Sequence, residues 1–168
     1  MIENAVELFT LRRNIFEKAT EQFLVIEDNP AAIEVAAIVE DVDLSMAILK
    51  YNHYSLQDSV DDKRAILVLI AQAMDSDVAR REFEAIDKPL AQNVYYAFNN
   101  LHIRHDNVTE GSKGYKKYVA DMNEEVFKAS YDDVDQMILL LYLKKEQKER
   151  DTRFKALKEN IENGNDDK

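Results

Sequence analysis

Apolar positions recur along this chain at helical spacing, and from Met137 to Leu143 they fuse into an unbroken run, Met-Ile-Leu-Leu-Leu-Tyr-Leu. A helix carrying such a run has no polar face for about two turns, so other elements are expected to enclose it on all sides. The run stops at Lys144-Lys145, far short of the roughly 20 apolar residues of a membrane span, and no membrane association is expected. It predicts the central rod of a helical domain. That rod starts at Asn123, a capping residue followed by Glu124-Glu125 in the first turn, and runs to about Ile161.

The rest of the pattern supplies the surrounding helices. Val6, Phe9, Ile15, Phe16, Ala19, Phe23 and Ile26 predict a first helix over about Glu3 to Glu27, which Asp28-Asn29-Pro30 ends. A second is expected from Pro30 to about Tyr51, with a buried stripe of Ile33, Ala36, Ala37, Val39, Val42, Met46 and Leu49. Its small residues would let a neighbouring helix approach closely. Ser59 with Asp61-Asp62 opens a third helix, whose apolar run Ala65 to Ala71 marks it as central too. Asp75-Ser76-Asp77 caps a short helix over Val78 to Ile86, with Phe83 and Ile86 inward, and Asp87-Lys88-Pro89 starts another that reaches about Arg104. Asp106 to Met122 is the one long irregular stretch, with a helical turn expected around Tyr115 to Ala120.

Composition agrees with this reading. Three glycines and two prolines in 168 residues are too few for the turns of a β or α/β fold. The expected architecture is an all-α single domain over residues 1–162, a bundle of five or six helices with a long C-terminal helix, and a disordered tail over 163–168. The absence of cysteine excludes disulfides, thiolate metal sites and cysteine nucleophiles. The first residues lack the basic region and apolar run of a signal peptide, so a cytoplasmic location is expected. The net charge of −11 opposes binding of a polyanion by the body as a whole. Lys144 to Lys158 departs from it: seven basic residues against three acidic make this segment +4 and leave the remainder at −15. Pairing with an acidic surface of the same fold or of a second copy is the simpler account of that arm, and contact with nucleic acid the sharper one.

Candidate chemistry is sparse. His102 and His105 fall three apart at an expected helix end, and His53 ends another helix, but no H-E-x-x-H or E-x-x-H pair exists and no metal or other cofactor is expected. The acids Asp132, Asp133 and Asp135 near the start of the last helix read as a solvated or salt-bridged face. No glycine-rich phosphate loop and no serine nucleophile elbow is present. The densest polar group is Asn99 to Asn107, where Arg104 could hold a phosphate, His105 move a proton and Asn107 orient both. After it, Lys113, Tyr115, Lys116, Lys117 and Tyr118 combine the charge and stacking that grip a single strand, or form an ordinary solvated loop.

An all-helical chain of this size with the polar patch Arg104 to Asn107 ahead of its final helix resembles the HEPN-like domains of bacterial defence and toxin–antitoxin systems. Tyr131-Asp132 and Gln136-Met137 before the leucine run are similar to abortive-infection proteins. The resemblance implies a metal-independent ribonuclease using Arg104, His105 and Asn107, or an inactive relative, in a phage-defence setting. The family places a further histidine beyond the arginine, whereas Val108, Thr109 and Glu110 follow here. The expected function is therefore recognition of a protein partner or a second copy, through the stripe Arg150, Phe154, Leu157 and Ile161 of the last helix. RNA cleavage is the alternative.

Overall fold

The computed structural model describes residues 29–53 and 59–164; the helix expected over Glu3 to Glu27 lies outside the described residues. Seven helices are present among the described residues, and no strand: α1 Pro30–Ile38, α2 Val42–Tyr51, α3 Val60–Ala73, α4 Asp77–Ile86, α5 Lys88–Asn100, α6 Lys117–Ala120 and α7 Glu124–Gly164. The all-α class and the long final helix are as expected. α7 continues to Gly164, past the point where a frayed tail was expected to begin.

Helix starts follow the capping residues. The side chains of Asn29, Ser59, Ser76, Asp87 and Asn123 each accept a hydrogen bond from a backbone N–H three residues on, at 3.0 to 3.3 Å. One such signal breaks the helix expected over Pro30 to Tyr51. Val39 is extended (ψ 128°), and Asp41 caps a new helix by accepting from Leu44 N at 3.0 Å. Ser45 Oγ then donates to Ala36 O at 2.6 Å, holding α1 and α2 together where Ala32 and Ala36 leave room. The break turns the chain, so the expected stripe is corrected. Ala32, Val35, Leu44, Ala47, Ile48 and Tyr51 face the main core, Val42 is exposed, and Ala36 and Leu49 form a second small cluster with Ile33 and Met46.

α7 is the hub, in contact with α1, α3, α4 and α5. Ile138, Leu139 and Leu141 are at most 1% exposed, each contributing about 1.5–3 kcal/mol by burial. The expectation of complete enclosure fails at Leu140, which is 44% exposed. The helices packed on α7 leave that side uncovered. The run in α3 behaves alike: Ile66, Leu67, Ile70 and Ala71 are buried, while Leu69 stays exposed. Phe83 of α4 meets Tyr142 edge-on at 5.0 Å, fixing α4 against the rod.

Candidate functional site

The polar patch after α5 is not helical. α5 ends at Asn100 rather than near Arg104, and His102 takes a left-handed conformation (φ 57°), so His102 and His105 do not share a helix face. Asn107, 1% exposed, holds this loop together. Its Oδ1 accepts from His102 N at 2.7 Å, and its Nδ2 donates to Gly114 O at 2.7 Å and Asn99 O at 3.3 Å. Asp106 Oδ1 accepts from the N–H groups of Val108 and Thr109 at 3.1 and 3.0 Å. Hydrogen bonding holds its carboxyl below the usual range, the Thr109 side chain foremost and then the N–H groups of Thr109 and Val108. Gly114 fits because a Cβ there would stand 2.9 Å from Asp106 O.

Arg104 serves packing. Its guanidinium pairs with Asp75, lies 3.5 Å from Asn99 Oδ1 and from Ala71 O, and covers the rings of Phe98 and Tyr95 at 5.5 and 5.9 Å. It thereby ties the end of α3 to α5. His102 accepts Asn107 N–H at Nδ1 (3.3 Å); burial, then the charge of Arg64, holds its pKa below the ordinary histidine value, against the pull of Asp106. Of the three side chains read as a ribonuclease group, Arg104 and Asn107 are engaged in the fold and His105 alone is exposed. Lys113, Lys116 and Lys117 are also exposed, Tyr115 is half-buried, Tyr118 is 80% exposed, and Lys117 Nζ pairs with Asp121 Oδ2 at 2.8 Å. Among the described residues no three His, Cys, Asp or Glu side chains are grouped as metal ligands.

A second polar group was missed in the sequence. Between α2, α3 and α7, Lys63 Nζ meets Asp132 Oδ1 at 2.5 Å, and Tyr51 OH donates to the same oxygen at 2.9 Å. Beside them, Asn52 Nδ2 donates to Asp135 Oδ1 at 3.3 Å and Asn29 Nδ2 to Asn52 Oδ1 at 2.7 Å. Asp135 is 1% exposed, which corrects its reading as a solvated acid. Burial foremost, opposed by the Asn52 bond, pushes its pKa up to about 7. Burial and the Asp132 charge push the Tyr51 phenol up as well. The signal was spacing: Asp135 stands four residues after Tyr131 and four before Leu139, and Lys63 four before Leu67, so both lie on the apolar faces of their helices.

The third feature is the end of α7. At 1.5 Å per residue the 41-residue helix is about 60 Å long. Its basic arm pairs first with the fold itself: Lys144 with Asp87 at 2.5 Å, Lys145 with Glu82 at 3.1 Å, and Arg150 with Glu34 at 3.5 Å. Past Arg153, Lys155 and Lys158 pair with Glu159 and Glu162 of the same helix. Every residue from Gln147 to Gly164 is exposed, and Phe154, Leu157 and Ile161 stand open at 68, 53 and 57%. Three large apolar groups on one face of a projecting helix are the chief unpartnered surface among the described residues. Comparison of the chain with protein-family models, with curated proteins and with solved structures gives no match.

Proposed function

We propose that the protein is a helical interaction module whose docking surface is the projecting end of α7. The observation that carries this is the exposure of Phe154, Leu157 and Ile161 at successive spacings of three and four residues. That is the seam of a two-helix coiled coil, and the helix it receives must present a matching apolar stripe. A second copy is one such partner. Two α7 ends laid antiparallel bring Phe154 of each against Leu157 of the other and set Arg150 level with Ile161. A parallel pair would instead oppose Arg150 to Arg150.

The seam is short, so association between copies is weak and concentration-dependent. Light scattering over a concentration series tests it. The mass should rise from the monomer's 19.5 kDa as protein is added, while Phe154→Asp stays monomeric. A mass that holds at the monomer value for the parent chain at millimolar concentration counts against the reading. RNA cleavage by Arg104, His105 and Asn107 has less support, since two of the three side chains are spent on internal contacts.

A further inference from the structure

We propose that the apolar stripe of α7 in one copy seats in the groove between α2 and α3 of a second copy, each copy lending its helix end to the other. This rests on the reading of the stripe as a docking face, and it names α2 and α3 as the receptor in place of a second stripe.

The groove matches the stripe in shape and chemistry. Its volume is about 510 Å³. Leu44, Ala47 and Ile66, at most 9% exposed, form the floor, and Met46 of α2 and Leu69 of α3 the walls, with Leu69 56% exposed. A concave apolar face between two helices takes the ridge of a third.

Direction brings the two surfaces together. Asp132 is the residue of α7 that meets both Tyr51 of α2 and Lys63 of α3. Phe154, Leu157 and Ile161 stand 22, 25 and 29 residues beyond it. At about 100° per residue they are turned from Asp132 by only about 40°, −20° and 20°. The stripe therefore points to the side of the rod on which α2 and α3 lie. When a two-fold axis relates two antiparallel α7 rods, each stripe that faces the other copy faces that copy's α2 and α3. Such a pair buries two stripes and two grooves, against one seam for two paired helix ends.

Charge fixes the polarity of the seat. α2 runs antiparallel to α7, since Tyr51 stands at Asp132 while Asp41 and Leu44 share a hollow with Tyr142, Lys145 and Glu149. The Asp41 end of the groove thus lies at the end of the body from which α7 projects, and the incoming helix enters there, running alongside α2 in the same direction. The charges lining the groove are Asp41 and Asp43 at this mouth and Lys50, nine residues beyond Asp41. Arg153 and Glu162 of the incoming helix are also nine residues apart, about 14 Å, with the apolar stripe between them. Laid this way, Arg153 meets the acidic mouth and Glu162 meets Lys50. The reverse direction would set Glu162 against Asp41 and Asp43.

Leu69 is exposed, so Leu69→Asp should melt like the parent in dilute solution. It should nevertheless lose the association seen by light scattering as completely as Phe154→Asp does. The chain has no cysteine, so engineered thiols report position cleanly. A Leu69→Cys chain mixed with a Leu157→Cys chain, at a concentration where the parent associates, should oxidise to a species of twice the monomer mass containing one of each. A Leu69→Asp chain that associates like the parent, while Phe154→Asp does not, would overturn the proposal and leave the stripes paired with each other. A mixture that yields no mixed disulfide would overturn it as well. A parent chain that never associates would remove the docking function itself, and this seat with it.

Discussion

Lys63 Nζ lies 2.5 Å from Asp132 Oδ1, and the burial is one-sided: the lysine side chain is 6% exposed, the aspartate 51%. The pair therefore stabilises unequally. Removing the carboxylate strands a buried ammonium, and removing the ammonium leaves a carboxylate that water can reach. Asp132→Ala should cost about 2–3 kcal/mol and Lys63→Met less than about 1, the methionine filling the stem's volume. Urea unfolding of both variants decides this; equal losses would refute the asymmetry.

Asp135 makes stability depend on pH. Its folded pKa of about 7 lies above the unfolded carboxyl's value of about 4, so the folded state binds more protons between these limits. Its contribution is complete below about pH 4 and declines as pH rises to about 7. Asp135→Asn keeps the shape without the charge. It should be more stable than the parent above pH 7, on the order of 2–4 kcal/mol, with the difference closing toward pH 4. Thermal melts at pH 4.5 and 8 measure it.

His102 works in the opposite sense. Its depressed folded pKa means that the unfolded chain binds more protons, so stability falls as pH drops below about 6.5 and levels off beneath the folded value. Protonating Nδ1 also destroys its acceptance of Asn107 N–H. An NMR titration should place the His102 midpoint below that of an unstructured histidine. Asp106→Asn should move it lower still, because the Asp106 charge raises it.

The loop after α5 depends on close approach. Gly114→Ala would put Cβ against Asp106 O, at a cost of about 1–3 kcal/mol. Asn107→Ala, which deprives one backbone donor and two carbonyls, should cost about 2–4 kcal/mol. His105→Ala, at an exposed position, should stay within about 0.5 kcal/mol of the parent. Denaturant midpoints of the three variants test the ranking.

Phe154→Asp also separates docking from folding. Its side chain is 68% exposed, so the melting temperature of the dilute protein should change little. A large drop would mean that Phe154 supports the body of the fold.

How much of this was legible in the sequence depended on range. The caps at Asn29, Ser59, Ser76, Asp87 and Asn123 bond to N–H groups three residues away, and sequence spacing alone specifies them. The same rule applied at Asp41 would have found the break between α1 and α2. It was hidden because the apolar period continues across Val39 to Val42. The exposed stripe of Phe154, Leu157 and Ile161 was readable for a similar reason, since its residues share one helix face.

What the sequence by itself determined is the class of fold, the helical rods, the charge of the final arm and the spacing of its apolar seam. All of these are set by backbone sterics and periodicity within one or two turns. Only the tertiary structure decided which polar residues would be buried. Asp135 of α7 and Lys63 of α3 came to lie inside because the end of α2, with Tyr51 and Asn52, meets α3 and α7 there, while Leu140 was left open because the described helices do not cover it. Arg104 and Asn107 were likewise turned from candidate chemistry to internal support. Their partners Asp75, Ala71 and Gly114 become neighbours only once the chain has folded.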